Sequence, residues 1–349
     1  MGRIASFFRL VRAARVFARH EVLLPPELRE MAPFPARFAA GFLKLTTFSR
    51  TSKGLSTGQR FAAALGDLGP SYVKLGQFLA TRPDVVGKQL AKDLTSLQDR
   101  MPPFPMEKAK AAIAEELGQS VETLFSEFSA PVAAASIAQV HRARMKATGT
   151  EVAVKVLRPD IETRFRRDLD SFYLAARMAE RHLPSSKRLR PVAFVDTLAA
   201  SVKEEMDLRM EASAAAELAE LTKNDGGFRV PRIEWELTAK RVLTSDWIDA
   251  IPLRDPEALK AAGHDPAKLA TDLIRHFLTQ ALRDGFFHAD MHQGNLFVDA
   301  RGNIVAVDFG IMGRLDPLMR RFMADVLYGF LQRDYRAIAE AHFAVGIVS

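Results

Sequence analysis

The residues best suited to chemistry lie in one stretch, FFHADMHQGNLFVDARGNIVAVDFG, from Phe286 to Gly310. Two aspartates, Asp290 and Asp308, lie eighteen positions apart, and Asn295 follows the first by five positions. Their oxygens are hard ligands that suit magnesium, which proteins usually hold with one or two carboxylates together with substrate phosphates. We therefore predict that Asn295 and Asp308 bind magnesium and that Asp290 orients the attacking group in phosphoryl transfer.

A hairpin is expected to support these residues. Its two strand-like runs, Leu296–Asp299 and Asn303–Val307, are joined by a turn around Arg301-Gly302. The hairpin would bring Asn295 and Asp308 together at one end. The alternative is a set of ordinary surface turns, because Asp, Asn and Gly dominate turns. The order and spacing H-x-D-x(4)-N, followed by D-F-G, favour the metal and catalytic half of a kinase-like site.

A second candidate region begins at Phe128, where strand-like sequence starts. A short strand leads to a tight loop, which a second strand (Ile137–Met145) and a third, EVAVKVL, follow. The loop residues are Ala133, Ala134, Ala135 and Ser136. This order is typical of the nucleotide-binding start of a kinase, with Lys155 directed at the phosphates, although V-A-V-K by itself also fits a buried strand. Alanine restricts positive φ and close approach to phosphate, so we expect nucleotide to bind with an altered pose or preference.

Two long helices are predicted next, from Ile161 to about Leu183 and from Val195 to about Asn224. In the second, Glu204, Asp207 and Glu211 recur at i, i+3 and i+7 on one stripe. A kinase-like site needs a helical glutamate to hold the strand lysine on the α- and β-phosphates, and we assign this role to Glu211. The alternative for so acidic a run is a solvated helix face.

The remaining elements lead into and out of the central stretch. A strand pair, Arg229–Trp235 and Arg241–Thr244, precedes a hinge that should contact adenine through the backbone around Asp246 and Ile248. A long amphipathic helix over Pro266–Arg283 then reaches the catalytic loop.

The segment after Gly310 is short. Only Ile311–Leu315 lie between it and Asp316-Pro317, which is a strong helix start with proline in the first helical position. A protein kinase needs a longer segment to dock peptide and an A-P-E element to anchor it. The spacing therefore argues against ordinary protein substrates.

Residues 57 to 128 are predicted to be helical, in about five short segments. In one of them, Gly69–Asp84, Lys74 and Gln77 share a face because they are three positions apart. Gly76 lies mid-helix at a cost of about 1 kcal/mol relative to alanine, which predicts that another group approaches its backbone closely. The alternative for Lys74 and Gln77 is a solvated surface position.

The first twenty residues contain five arginines and no acid, with apolar residues at helical spacing. This pattern predicts a basic amphipathic helix, which suits an anionic membrane surface. Packing of the helix on its own domain and a transit peptide are open alternatives. A proline-broken basic linker follows, as far as Lys53-Gly54.

The composition of the 349 residues permits one very large domain or two ordinary ones. With 48% apolar residues the core can be sizeable, and the net charge of +7 is modest for the length. The absence of cysteine excludes disulfides, thiolate catalysis and cysteine-ligated zinc. No apolar run in the sequence reaches the roughly 18–20 residues of a membrane span, and no secretory signal is evident.

From about Gly69 to Leu331 the sequence resembles the UbiB-like (ADCK-type) family of atypical kinases, which is associated with ubiquinone biosynthesis. The motifs are KLGQ at Lys74–Gln77, AAASIAQVH at Ala133–His141, VAVKV at Val152–Val156, EMD at Glu205–Asp207, HADMHQGN at His288–Asn295 and DFG at Asp308–Gly310. K-x-G-Q together with an alanine-rich loop separates this chain from aminoglycoside- and choline-kinase-like enzymes.

The resemblance implies an α+β, protein-kinase-like two-lobe fold with an all-helical K-x-G-Q extension at its N-terminal side. The expected divisions are a basic N-terminal segment and linker (1–56), the helical extension (57–127), an N-lobe with the alanine-rich loop and inserted helices (128–248), and a C-lobe (249–349). Bacterial members usually carry transmembrane helices after the kinase domain. The sequence contains neither these helices nor a complete C-lobe, so we expect it to be part of a longer chain.

The resemblance also implies roles that residue chemistry alone does not assign. Lys74 and Gln77 would regulate the site by crossing it, with Lys74 engaging the Glu205/Asp207 pair and the extension covering the usual peptide site. On a continuous helix Glu205 lies about 100° from the acidic stripe, which leaves Glu204 as a rival for Lys74. Glu211 and Lys155 would pair with each other.

The implied cofactors are ATP and Mg²⁺. The implied partners are a quinone-precursor or anionic lipid, the cytoplasmic face of the inner membrane and other ubiquinone-biosynthesis proteins, without nucleic acid. We expect an ATPase or small-molecule phosphotransferase that supports quinone-lipid biosynthesis. The alternative is a nucleotide-gated lipid-binding scaffold or chaperone with little phosphoryl transfer, and a protein kinase is least favoured.

Overall fold

The structure is a computed structural model that describes residues 3–22, 54–95, 97, 101–182 and 188–348. In these residues the helices are α1 (Arg3–Arg19), α2 (Thr57–Leu68), α3 (Pro70–Ala80), α4 (Pro83–Val86), α5 (Lys88–Leu94), α6 (Met106–Leu117), α7 (Val121–Leu124), α8 (Ile161–His182), α9 (Pro191–Glu205), α10 (Leu208–Thr222), α11 (Pro256–Ala261), α12 (Pro266–Leu278), α13 (Pro317–Gln332) and α14 (Tyr335–Ala344).

The strands are β1 (Phe125–Ala134), β2 (Ala138–Met145), β3 (Glu151–Leu157), β4 (Phe228–Arg229), β5 (Val242–Asp246), β6 (Ala250–Pro252), β7 (Phe286–His288), β8 (Leu296–Asp299), β9 (Ile304–Ala306) and β10 (Met312–Arg314). They form one four-stranded sheet in the order β1-β2-β3-β5, a second in the order β4-β9-β8-β6, and the pair β10-β7. The α+β class predicted from the sequence is therefore confirmed.

The chain groups into two compact units. The first comprises the described residues within Met1–Val121, Ser129–His141 and Lys155–Met206. The second comprises those within Glu122–Phe128, Arg142–Val154 and Asp207–Ser349. The division into four segments expected from the sequence stays a prediction.

The helical extension belongs to the first unit. Helix α3 begins at Pro70, after Gly69 with φ +101°, as the glycine–proline pair indicates. The close approach predicted at Gly76 is confirmed, because a Cβ added there would lie 2.5 Å from the side chains of Leu65 and Leu97. The glycine is thus explained by leucine packing across the extension and does not by itself indicate a ligand.

Helix α1 packs on the rest of the first unit. Arg9 Nε donates to the Ser171 hydroxyl at 3.0 Å, and the buried His20 ring contacts Asp67 at 2.9 Å. The opposite side of the helix is exposed: Ile4 and Phe8 retain 74% and 66% of their accessible surface. The predicted helix is confirmed, and it both packs on its own unit and presents an outer face. The basic linker expected between residues 25 and 53 lies outside the described residues.

Strand β3 carries Lys155 on a rigid support. Val152, Val154 and Val156 are all fully buried. Because side chains alternate along a strand, Lys155 points to the opposite side of β3 from these three valines. One side of β3 is therefore buried in the core, and the other side carries Lys155.

The predicted hairpin after Asn295 is confirmed in the second unit. Strands β8 and β9 pair antiparallel, with Leu296 opposite Ala306 and Val298 opposite Ile304. The interior positions of both strands are buried, which anchors the hairpin in the core of the sheet.

Two sequence expectations were wrong. The helix predicted from Val195 to about Asn224 is two helices, because α9 ends at Glu205 and Asp207 caps α10 by accepting the backbone N–H of Arg209. The stripe of three acids on one helix therefore does not exist. The strand pair predicted before the hinge was wrong only in extent: β5 is a strand, but the first segment contributes a single antiparallel bridge, Ile233 to Ser245, and continues into a 3₁₀ turn at Trp235–Leu237. Strand β4 pairs in parallel with β9 instead.

No helix among the described ranges combines the length and the apolar composition that a membrane crossing requires. The amphipathic helix predicted over Pro266–Arg283 is confirmed as α12, and it continues as a π-helical turn over Thr279–Asp284.

Stability is expected to fall on acidification because of the buried histidines His141, His276 and His288. Burial lowers the pKa of each below its ordinary value. Below about pH 6.5 the unfolded chain then binds more protons than the folded one, so the free energy of unfolding falls by up to about 1.4 kcal/mol per pH unit for each histidine. Urea unfolding at pH 7.5, 6.5 and 5.5 measures this slope. It should persist when the exposed His182 is replaced by Gln, and a flat profile would contradict the prediction.

Candidate active site

The loop before the β8–β9 hairpin, together with the hairpin itself, brings the three predicted polar residues of the second unit together. The Asn295 side-chain amide donates to the Asp290 carboxylate at 3.2 Å and to the Asp290 carbonyl at 3.3 Å. The backbone N–H of Val307 donates to the Asn295 carbonyl at 2.9 Å, which places Asn295 beside the residue that precedes Asp308. Asp290, Asn295 and Asp308 therefore lie at one end of the hairpin, as its geometry required.

A buried histidine links the two aspartate segments. His288 Nε2 donates to the Asp308 carbonyl at 2.8 Å, and His288 Nδ1 accepts the backbone N–H of Asp290 at 3.1 Å. Burial lowers the pKa of His288, which favours the neutral ring that this pair of hydrogen bonds needs. The ring also meets Phe309 edge to face, with centroids 5.6 Å apart.

His288 was not among the residues selected from the sequence. Its position in the sequence could have indicated this role, because a side chain two residues before Asp290 can reach the Asp290 N–H. The Asp308 contact could not be foreseen, since it joins residues twenty positions apart.

The backbone at Asp308 is strained. Its φ is +70°, a region that non-glycine residues seldom adopt, while its carboxylate accepts the Gly310 N–H at 3.2 Å. Such conformations cost about 1–3 kcal/mol and persist where the surroundings enforce them. Here the buried Phe309 and the His288 hydrogen bond hold the exposed Asp308 in place. The strain supports a functional reason for its orientation.

Magnesium suits the donors at this point. The amide nitrogen of Asn295 is used by Asp290, so the amide oxygen is the atom that can bind a cation. Among the residues described, no group of three or more His, Asp and Glu side chains could hold a metal. Proteins usually hold Mg²⁺ with one or two side chains together with phosphate oxygens, and the assignment of Asn295 and Asp308 to this role stays a prediction.

A second histidine borders the carboxylate of Asp290. His292 Nε2 lies 3.6 Å from the Asp290 carboxylate, and His292 Nδ1 accepts the Gly294 N–H at 2.9 Å. A side chain at Gly294 would collide with the ring, since an added Cβ would lie 2.7 Å from it. His292 was not among the site residues predicted from the sequence, although it lies within HADMHQGN.

The short segment after Gly310 is held in place by strand pairing and by a helix cap. Strand β10 pairs antiparallel with β7, and Asp316 caps α13 by accepting the Met319 N–H at 2.8 Å, as predicted. Arg314 binds both carboxylate oxygens of Glu217, on α10, at 2.9 and 2.7 Å. Helix α10 also carries Glu211, so this fork connects the glutamate helix to the segment that follows the D-F-G residues.

The structure shows the local environment of two elements predicted to help bind nucleotide, Glu211 and the hinge. Glu211 is buried in the first turn of α10, and its pairing with Lys155 stays a prediction. In the hinge, the Asp246 N–H donates to the Arg232 carbonyl at 2.9 Å and the Trp247 N–H to the Glu151 carbonyl at 3.1 Å. These bonds support the backbone between Asp246 and Ile248, whose contact with adenine also stays a prediction.

In the first unit, Lys74 contacts Glu205. Lys74 Nζ lies 2.6 Å from a Glu205 carboxylate oxygen, and the side chains are only 17% and 12% exposed. Gln77 donates to the Leu97 carbonyl at 3.4 Å. The contact identifies Glu205 as a partner of Lys74, and the rivalry with Glu204 loses its basis because α9 ends before the supposed stripe continues. The regulatory roles of Lys74, Gln77, Glu205 and Asp207 stay predictions.

Removal of one member of this pair should destabilise the protein more than removal of both. Lys74→Met removes the ammonium that lies against the largely buried Glu205 carboxylate, which should lower the free energy of unfolding by about 3–5 kcal/mol. The double variant Lys74→Met/Glu205→Met should recover more than half of that loss. Urea unfolding of both, with Lys92→Met as an exposed control, measures the coupling; additive effects would contradict it.

Comparison with known proteins identifies the family to which the chain belongs. Residues 96–342 match the model of the ABC1 atypical kinase-like domain. A Marinobacter nauticus protein named "Probable protein kinase UbiB" is 42% identical over 97% of this chain and 62% of its own length. A Pseudomonas aeruginosa (strain UCBPP-PA14) protein of the same name is 39% identical over 99% of this chain and 66% of its own. The chain thus spans less than two thirds of the length of these relatives.

A solved structure gives the same result for the fold. It is titled as the complex of Rv3197 with erythromycin, from Mycobacterium tuberculosis, and has a TM-score of 0.52 at 25% identity. The match covers 88% of this chain and 75% of that one. It supports the predicted kinase-like fold with N-terminal helices. Given the domain match and the identities of about 40%, the chain belongs to the UbiB-like family of ABC1 atypical kinase-like proteins.

Proposed function

We propose that the chain binds Mg²⁺-ATP and either hydrolyses it or transfers its phosphoryl group to a small molecule. The observation that carries this proposal is the Asp290–Asn295–Asp308 cluster held by His288. A protein that only binds nucleotide has no need of all three polar residues. A kinase-like domain is a nucleotide-binding fold, which agrees with the proposal.

In this mechanism Asn295 and Asp308 hold the metal, and Lys155, fixed by Glu211, supports the α- and β-phosphates. A magnesium ion held there would supply positive charge that offsets the negative charge developing in the transition state. Asp290 orients water or a small hydroxyl and accepts its proton. Catalysis then rests on positioning and charge stabilisation rather than on a covalent intermediate.

The acceptor is proposed to be small. The short segment that ends at Asp316 is paired with β7 and held by Arg314, which leaves little chain to bind a peptide. A hydroxyl of a quinone precursor, or water, needs no such docking segment. The family association with ubiquinone biosynthesis favours this substrate class.

A nucleotide-gated lipid-binding scaffold is the second candidate. The buried Lys74–Glu205 contact favours it, because it fixes the helical extension and could set a nucleotide-dependent conformation. In that case the protein would bind ATP with little turnover.

Product-resolved turnover separates the candidates. Purified protein is incubated with ATP, with and without magnesium, and in the presence of quinone-precursor mimics and vesicles. A phosphorylated mimic supports the phosphotransferase, and magnesium-dependent release of free phosphate alone supports an ATPase. Nucleotide binding without either product supports the scaffold. If the protein neither bound nucleotide nor turned it over under any of these conditions, the proposal would be refuted.

We also propose that α1 places the protein at the cytoplasmic face of the inner membrane. Its exposed side carries an aromatic and aliphatic end followed by three arginines without an intervening acid. The residues are Ile4, Phe7, Phe8, Arg12, Arg15 and Arg19. Such a helix suits an anionic surface, where each basic residue contributes about 1 kcal/mol.

Vesicle co-sedimentation tests this location. Binding should be strong to phosphatidylglycerol-containing vesicles, weak to pure phosphatidylcholine, and reduced at least about tenfold when Arg12, Arg15 and Arg19 are all replaced by Gln. Equal binding to both vesicle types would contradict it. The family association with ubiquinone biosynthesis leads us to propose other proteins of that process as partners.

A further inference from the structure

A short segment before α6 lies against the alanine-rich loop in the first unit. The Met101 N–H donates to the Ala134 carbonyl at 3.2 Å. Within the loop, the Ala135 N–H donates to the Ala138 carbonyl at 2.8 Å, which closes the turn between β1 and β2. We call residues 101–104 the strap.

Arg158 joins the strap to the loop. Its Nε and Nη2 donate to the Ala135 carbonyl at 3.1 and 2.8 Å, and Nη2 also donates to the Pro102 carbonyl at 3.0 Å. The guanidinium lies over the Phe104 ring, 5.6 Å from its centroid. A planar fork can serve both carbonyls at once, whereas a lysine ammonium has a different geometry and cannot reproduce the fork.

A buried chain of hydrogen bonds provides the second attachment. The Phe104 N–H donates to Gln139 Oε1 at 2.9 Å, so Gln139 Nε2 is the donor to His141 Nε2 at 2.9 Å. His141 Nδ1 must then carry the proton that it donates to the Ser129 carbonyl at 2.8 Å. Gln139 and His141 are fully buried, and the phosphoryl-transfer mechanism uses neither.

These attachments surround the loop. Ser129 precedes it on β1, Gln139 and His141 follow it on β2, and Arg158 holds its carbonyl from beyond β3. The loop backbone is therefore fixed by polar contacts in addition to the narrow conformational range of alanine. A loop fixed before its ligand arrives loses less entropy when it binds.

We propose that Arg158 and the Gln139–His141 pair are positioning residues that hold the alanine-rich loop in its nucleotide-binding conformation through the strap. The inference rests on the proposed function, because it assumes that this loop contacts the nucleotide. It adds to that function a set of residues that act on nucleotide affinity without touching the phosphates.

The test compares Arg158→Met and Arg158→Lys with Arg166→Met, an exposed arginine of α8 that serves as the matched control. Loss of the hydrogen bonds to the loop should raise the Kd for Mg²⁺-ATP about tenfold in both Arg158 variants. Backbone amides of Ala134–Ser136 should exchange with solvent at least about tenfold faster. The control should change neither quantity by more than about twofold.

The outcomes separate this inference from the function on which it rests. Wild-type protein that binds no nucleotide would overturn both. Wild-type binding with an unchanged Kd in a folded Arg158 variant would overturn the positioning role alone, even if the melting temperature falls, because a merely structural residue lowers stability without changing affinity. If Arg158→Met does not fold, Arg158→Lys decides, since it retains the charge but not the fork.

Discussion

Asp290→Asn is expected to lower nucleotide turnover by about 10³-fold while the Kd for Mg²⁺-ATP stays within about threefold. Asparagine has nearly the shape of aspartate and can still accept the hydrogen bond from Asn295 at its side-chain oxygen. It carries no charge, however, and cannot accept a proton from water or a hydroxyl. The loss should therefore appear in kcat rather than in binding. Phosphate release and nucleotide titration on the same preparation measure the two quantities.

A matched control uses another aspartate. Asp325→Asn on α13 removes the same charge from an exposed helix position, where the side chain is 57% accessible. It should leave turnover within about twofold of wild type. If Asp290→Asn retained wild-type turnover, Asp290 would have no part in the reaction; slow, unchanged phosphate release would then favour the nucleotide-gated scaffold.

His288→Phe should impair both stability and magnesium-dependent turnover. Phenylalanine approximates the ring and its contact with Phe309, but it removes both hydrogen bonds that join the Asp290 and Asp308 segments. Leaving a buried partner unsatisfied costs about 1–3 kcal/mol. We expect a loss of about 2–4 kcal/mol in the free energy of unfolding and of about 10²-fold in kcat, because small misplacements of catalytic groups are costly.

The magnesium dependence distinguishes the positioning role of His288 from a general loss of stability. Asp308 should relax from its strained backbone without the bond to its carbonyl, which raises the magnesium concentration needed for half-maximal turnover. Turnover is measured across a magnesium titration at a temperature where the variant is folded. An unchanged magnesium requirement would contradict this role. His182→Phe, at an exposed position of α8, should alter neither stability nor turnover by a comparable amount.

These two variants test different features of the site. Asp290→Asn changes a charge and should leave the fold intact, whereas His288→Phe leaves both carboxylates in place and should change their positions. If both behave as expected, the site depends on the identity of the charged groups and also on the buried ring that aligns them.

The sequence by itself determined the local features. The β8–β9 hairpin and the cap at Asp316 were predicted correctly, because their signals lie within a few residues of the structure that they specify. The spacing of Asp290, Asn295 and Asp308 likewise indicated their juxtaposition, since a hairpin leaves few other arrangements.

Only the tertiary structure decided the rest. Helical periodicity continued through Asp207, yet the Asp207 side chain caps a new helix, so α9 ends at Glu205 and this residue meets Lys74. Periodicity records which faces are apolar and does not register where a side chain replaces a backbone hydrogen bond. The links made by His288 and Arg158 join chain segments twenty or more residues apart, and such partners are brought together by packing that no local pattern encodes.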